Sequence, residues 1–384
     1  MAGYADERVI RMSNTLVDGQ DFKLGLFSPN CSGGLAVTAI PERWSASWAD
    51  NLRLAQLADQ VGIDFILPIA RWIGYGGETN FHEGVLEPIP WASGLLASTR
   101  RVVVFATVHT AFNHPVVSAK QLATVDHVGG GRAGVNVVAG WNEPEYRAMG
   151  VELPEAHDDR YARAQEWFDH LRALWTTEGR GDREGRFFTL RGVESMPKPV
   201  QGVLPVLNAG SSPQGRDFAA RNANFVFTII GDADEGAKVV AQLTEAARTR
   251  YQRAVGVMSP AHVVCRPTRA EAREYLHYYA EENADWEAVD NLMRLQGLHA
   301  QSFTKEMLAG FRSRFAAGHG TCPLIGTPDD VADEIERYAK AGLAGMTLSF
   351  VDYIGELRQF ADEVIPRLEA RGIRQPRPAL DQEA

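Results

Sequence analysis

The sequence predicts an α/β protein, a (β/α)8 TIM barrel with an insertion before the last β/α unit. Three observations carry this. Short β-branched runs alternate with helix-like stretches along nearly the whole 384 residues, the pattern of repeated βαβ units. Eight such runs can be read, which favours a closed barrel over the runner-up, a doubly wound open sheet. Several runs are almost wholly apolar, as parallel strands buried on both faces are.

The first strand is read at 22–28, followed by a helix over 44–61 with Leu54, Leu57, Ala58 and Val61 at helical spacing. The second strand is 64–68. A glycine-rich loop follows at 71–81 (RWIGYGGETNF), longer than a plain connector and therefore a candidate functional loop. The third strand is 102–108 and its helix 115–127. The fourth is 133–139, and an amphipathic helix over 160–175 places Trp167, Leu171 and Leu174 on one side. The polar stretch 179–188 is a surface excursion or small hairpin. Strands at 205–208, 224–229 and 259–264 precede helices at 212–221, 235–250 and 269–283. The eighth strand is 345–350, closed by a helix over 354–371. One domain over 1–384 is expected, with arms up to about residue 20 and after 374. The segment 284–322 shows helical pattern and no strand, and is read as an insertion, either a lid over the barrel mouth or a passive elaboration.

Bulk properties narrow the function. A formal charge of -10 with no basic stripe argues against a nucleic-acid partner. No apolar run has the length of a membrane span, the first residues, MAGYADERVI, lack the pattern of a secretion signal, and with the unpaired cysteine pattern a reducing cytoplasm is the expected location. Cys31, Cys265 and Cys322 are far apart and odd in number, which speaks against a disulfide framework or a metal site. Cys31 is read as a small pocket or core residue.

Four motifs invite a chemical reading. GGGRAG at 129–134 formally satisfies the dinucleotide fingerprint, but a helix leads in and a strand leads out, the reverse of what a pyrophosphate site needs. GSSPQ at 210–214 follows the fifth strand and opens a helix, with Ser212 as N-cap and Pro213 as first helical residue; a plain cap and a phosphate cradle both fit. HDDRY at 157–161 starts another helix, capped by Asp158 or Asp159, where Arg160 is either a surface ion pair or a cationic fork for phosphate. In AGVNVVAGW at 133–141, Asn136 is an amide inside an apolar strand; it needs a partner, either a neighbouring strand or a ligand in the barrel mouth. Thr107 offers a hydroxyl in the same layer. His109 and His114 follow on the rim as candidate proton carriers. HExxH, P-loop and GxSxG motifs are missing, so a borrowed cofactor would explain how such a barrel does chemistry.

These residues resemble the bacterial-luciferase-like family of two-component flavin monooxygenases, nearest its pyrimidine-oxidising and dimethyl-sulfone-oxidising groups. The likeness lies in FSPNCSGGLAV (27–37), IGYGGETNF (73–81), AKQLATVDHVGGGRAGVNVVAGWNEPEYRAMG (119–150), HDDRYARAQEW (157–167) and NAGSSPQGRDFAAR (208–221). The resemblance implies a TIM barrel that binds FMN as FMNH2, supplied by a separate NAD(P)H-dependent flavin reductase, and uses O2 on a small organic substrate, with C–S or C–N bond cleavage. It implies flavin contacts at Ala70, Arg71, Asn136, Glu145, Arg160, Tyr161, Ser211 and Ser212, and oxygen handling at Thr107 and Asn136, with His109 as candidate proton carrier. A homo-oligomer is expected by the same analogy. Arg71, His109, Asn113 and His114 depart from the pyrimidine-oxidising pattern, so substrate identity does not transfer. The alternatives are a deazaflavin-dependent hydride-transfer oxidoreductase on the same barrel and a non-catalytic flavin-binding protein.

Overall fold

The computed structural model describes residues 16–17, 19–154, 157–297 and 305–378. The expected arms before residue 16 and after 378, the middle of the expected insertion at 298–304, and the Asp158 side chain lie outside the described residues.

Eight parallel strands close into a barrel with helices around it: β1 (Lys23–Phe27), β2 (Phe65–Leu67), β3 (Val103–His109), β4 (Ala133–Val138), then β7 (Val206–Asn208), β8 (Phe225–Phe227), β9 (Gly256–Cys265) and β11 (Gly345–Ser349). Between β4 and β7 an antiparallel hairpin of β5 (Gly181–Glu184) and β6 (Thr189–Val193) stands on the surface. The helices that follow the expected pattern are α1 (Trp48–Val61), α3 (Pro115–Val128), α5 (His157–Thr176), α6 (Pro213–Asn222), α7 (Ala233–Tyr251) and α8 (Arg269–His277), the last running into a π-helical turn at Tyr278–Glu282. The expected closing helix is two helices, α12 (Tyr353–Glu363) and α13 (Ile365–Ala370). Pro366 sits where a continuous helix would need its N–H, so the chain restarts there.

Four elements are additional to the sequence reading. Helix α2 (Pro88–Ala97) begins on a Glu87 cap and is apolar nearly all round, so it has no polar face to mark its period. Helix α4 (Glu143–Ala148) is a short turn after β4. Among the described residues strand β10 (Cys322–Gly326) pairs with β9 alone, and as an edge strand it tolerates Pro323. Helix α11 (Pro328–Lys340) follows, opened by a capping box on Thr327 and Asp330. The segment between the π turn and β10 carries α9 (Trp286–Leu295) and α10 (Lys305–Gly318).

Strand β9 has an unusual division of labour. Residues 256–258 pair with β8, residues 258–262 with β11, and residues 261–265 with β10. A strand has two edges, so β10 takes over the β8 edge where β8 has ended.

Three apolar clusters follow from this architecture. One fills the layer between strands and helices. A second is the barrel interior, built from Phe65, Leu67, Val103, Phe105, Leu207, Phe225, Phe227 and Met258, with Leu16 also in it. The third is separate, and joins α9 and the π turn to Val37, Ile40, Tyr75 and Phe81. The glycine-rich loop after β2 is thus packed beneath the segment that precedes β10.

Candidate active site

Strand alternation decides what the barrel interior presents at its C-terminal mouth. Val103 and Phe105 point inward, so Thr107 and His109 follow on the same face of β3. Gly134 lies against the Phe105 ring (a Cβ there would sit 2.6 Å from it), which sets the inward face of β4 and puts Asn136 on it. Thr107 and Asn136 are register partners. The Thr107 hydroxyl donates to the Pro68 carbonyl at 2.6 Å, and Asn136 Nδ2 donates to Thr107 Oγ1 at 3.1 Å. The amide orientation is therefore fixed, and its Oδ1 is a buried acceptor without a partner among the described residues. Such an atom is expensive unless something meets it.

Ala70 and Arg71 lie just beyond β2. The Arg71 guanidinium is buried between the Tyr75 and Trp141 rings, 5.1 and 5.2 Å from their centroids. Its Nη1 lies 2.9 Å from Glu145 Oε1, which also accepts from Trp72 N at 3.0 Å. The side chains of this ion pair are 6% and 1% exposed. Burial alone would lower the Arg71 pKa, but the charges and hydrogen bond around it raise it above the usual arginine value, so the cation is secure.

The start of α5 meets the start of α6. Among the described residues Arg160 forms no surface ion pair; it turns inward, with Nη1 donating to the Gly140 carbonyl at 3.2 Å and Nε left without a partner there. Arg160 also lines a cleft of about 1060 Å³ with Tyr146, Val151 and Leu153. Its neighbour Tyr161 lays its hydroxyl against Gly210 and Gly215; a side chain on Gly210 would run into that hydroxyl, and a Cβ on Gly215 would lie 2.6 Å from it. Ser212 caps α6, accepting from Gly215 N at 3.1 Å, while Ser211 is exposed. Asp159 pairs with Arg186.

The two rim histidines part company. His109 is buried against Trp72 and Phe112, and burial together with the Arg71 charge pushes its imidazole down to about 3. It is a neutral hydrogen-bonding group at pH 7. His114 caps α3, accepting from Val116 N at 3.3 Å. The Cys31 thiol is fully buried and pushed up to about 12, which makes it an inert packing residue.

Sequence reasoning missed several residues beside this mouth. His82 and His319 face each other with ring centroids 5.9 Å apart, and Tyr75 lies 5.7 and 6.1 Å from them. Only the third cluster brings them together, since His319 follows α10. Asp285 was also missed: it accepts from Thr79 N at 2.7 Å and Thr79 Oγ1 at 2.8 Å, and caps α9 through Ala288 N at 3.1 Å. Asn291 on α9 donates to the Tyr75 carbonyl at 2.9 Å, so α9 holds the loop after β2 at two points.

The chain has relatives among known proteins. A family model described as luciferase-like monooxygenase matches residues 22–345. The chain is similar to the FMNH2-dependent dimethylsulfone monooxygenase of Pseudomonas putida, 33% identical over 359 residues that cover 90% of this chain and 95% of that protein. It is also similar to pyrimidine monooxygenase RutA of Escherichia coli K12, 31% identical over 384 residues, covering 97% and 98%. Among solved structures, DmoA from Hyphomicrobium sulfonivorans shares the fold with a TM-score of 0.83 at 20% identity, covering 94% of this chain and 91% of that one.

Proposed function

The chain belongs to the luciferase-like monooxygenase family, and we propose that it is the oxygenating component of a two-component system that uses reduced FMN and O2 on a small organic substrate. Membership makes it a flavin-dependent monooxygenase. A separate NAD(P)H-dependent reductase would supply the FMNH2, and a homo-oligomer is the expected assembly.

The observation that carries the reading is Asn136: an inward amide in the barrel mouth, its orientation fixed by Thr107 and its Oδ1 unpartnered. A reduced flavin ring has N–H groups at its edge, and a buried lone acceptor suits one of them. The phosphate end is also provided for. The N-terminus of α6 offers backbone N–H groups and the positive end of a helix dipole, Gly210 and Gly215 let the Tyr161 hydroxyl lie against this turn, and Arg160 adds an inward cation whose Nε has no partner among the described residues. These residues fit the group.

Bound FMNH2 supplies the electrons that activate O2. The protein's own part is positional. Thr107, its hydrogen committed to Pro68, holds Asn136 in register. The Arg71–Glu145 pair stiffens the edge between β2 and α4. The loop after β2, gripped by Asp285 and Asn291, roofs the mouth and keeps out water that would divert the reaction. His109, neutral under its aromatic cover, can pass or hold a hydrogen bond without introducing charge.

The test is turnover under oxygen-18 with FMN, NADH and a generic flavin reductase, on a panel of sulfones, sulfonates, pyrimidines and amides. Label in an organic product is the expected result. Substrate oxidation without label when an oxidised deazaflavin replaces FMN would instead indicate deazaflavin-type hydride transfer, and flavin binding without any product a non-catalytic protein.

A further inference from the structure

We propose that His82, His319 and Tyr75 form the substrate-reading face of this site, and that it selects an uncharged amide- or lactam-type molecule whose N–H is received by His82 Nδ1. The inference deepens the monooxygenase reading and rests on it.

The argument starts from a tautomer. His82 Nε2 lies 2.6 Å from the Gly34 carbonyl oxygen. A carbonyl only accepts, so Nε2 carries the hydrogen, and in a neutral imidazole Nδ1 is then an acceptor. That Nδ1 is buried and has no partner among the described residues. Phe81 stacks on the ring at 4.0 Å, so it cannot turn away readily. Two further buried polar atoms without a partner in good geometry stand around it: His319 Nε2 and the Tyr75 hydroxyl. The three rings form a triangle with edges of 5.7, 5.9 and 6.1 Å.

The chemistry of this set is specific. His82 Nδ1 asks for a donor. A sulfone has only acceptor oxygens and would leave that nitrogen unmet. A lactam or cyclic imide places an N–H beside a C=O, so it can give to His82 while the Tyr75 hydroxyl gives to it. Charge points the same way. Burial, the His319 ring and Arg71 hold the His82 imidazole well below its usual range, and burial with Arg71 takes His319 to about 4, so both are neutral at pH 7. The Cys31 thiol and Tyr75 phenol are each pushed up to about 12 and are neutral as well. The cation of Arg71 is already opposed by Glu145. A sulfonate or carboxylate would enter with no counter-charge.

The experiment measures binding and turnover on the same FMN-loaded protein. Calorimetry compares uracil and 2-pyrrolidone with their N-methylated forms, with dimethyl sulfone and with methanesulfonate. The lactams should bind at least about 10-fold more tightly than N-methyl forms and about 100-fold more tightly than methanesulfonate, since an unmet buried acceptor discriminates strongly. Substituting His82→Phe, which keeps the stack, should erase the preference for N–H while leaving FMN affinity unchanged. His82→Gln, which can still both donate and accept, should restore part of it. Absence of lactam binding, equal binding of N-methyl forms, or preference for sulfone or sulfonate overturns the proposal. Normal lactam ranking with no oxygen incorporated into any bound compound would overturn the monooxygenase reading instead.

Discussion

Glu145 holds Arg71 and the residue after it with a single carboxylate oxygen, 2.9 Å from Arg71 Nη1 and 3.0 Å from Trp72 N. Helix α4 is only six residues long, yet through this contact it fixes the exit of β2. Replacing Glu145 with Ala strands a buried guanidinium between two rings. Removing one partner of a buried pair is expected to cost about 3–5 kcal/mol. Urea unfolding should show that loss, with Glu145→Gln less damaging because it keeps the hydrogen bonds. Wild-type stability in Glu145→Ala would sink this account.

Substituting Asn136→Ala should lower kcat by about 100-fold or more while the melting temperature stays near wild type, in line with the effect of removing one preorganised group from a site. Thr107→Val should act in the same direction and not add fully to it, because both changes release the same amide. Steady-state kinetics on the double variant checks this; independent, multiplying losses would show that the two residues do not work as a unit.

Acid should unfold the protein earlier than its carboxylates alone dictate. His109 and His262 are each pushed down to about 3 and His319 to about 4, in every case first by burial. Unfolded histidine takes up a proton near pH 6.5, and the folded forms do not until far lower. The unfolded state therefore binds more protons across that window, and stability is lost as pH falls from about 6.5 toward 4, by up to about 1.4 kcal/mol per pH unit for each group. Thermal melts between pH 7 and pH 5 would record it. His262→Gln, at a position that hydrogen-bonds Thr321 at 3.0 Å, should flatten the slope; an unchanged slope would remove His262 from the explanation.

Releasing the roof should uncouple the reaction before it abolishes it. Asp285→Ala removes two hydrogen bonds to Thr79 and the cap of α9, a local loss of about 2 kcal/mol or more. Limited proteolysis should cut faster within residues 72–83. NADH consumed per product formed should rise several-fold.

The α6 entrance offers no room for a side chain. Gly210→Ala would force its methyl into the Tyr161 hydroxyl, so FMN affinity should fall at least about 10-fold, read by quenching of flavin fluorescence. Unaltered FMN binding in that variant would argue against a phosphate seat at this helix.

Much of this is legible in the chain itself. Asn136 stood out because an amide in an apolar strand is conspicuous, and its partner Thr107 lies in the adjacent strand at the matching level. The Ser212–Pro213 helix start was readable from cap chemistry. Helix α2 was not, because an apolar sequence buried all round carries no period. Strand β10 was hidden by its Pro323 and by having one partner. His82 and His319 were beyond reach for a different reason: neither belongs to a motif, and only the packing of α10 over the β2 loop makes them neighbours.

The shared edge of β9 bears on how such a protein can change. The chain leaves the barrel at Cys265 and returns at Cys322, which is paired level with Ala261, four residues back along the strand it left. Everything between those points is a detour whose two feet are stitched to one rail. Its length and sequence can drift while the eight-stranded ring stays shut, because ring closure uses β8, β11 and the first half of β9. New ceilings over an old hearth are thus available to mutation at little risk to folding, and appetite for a different compound can be acquired there without rebuilding the walls.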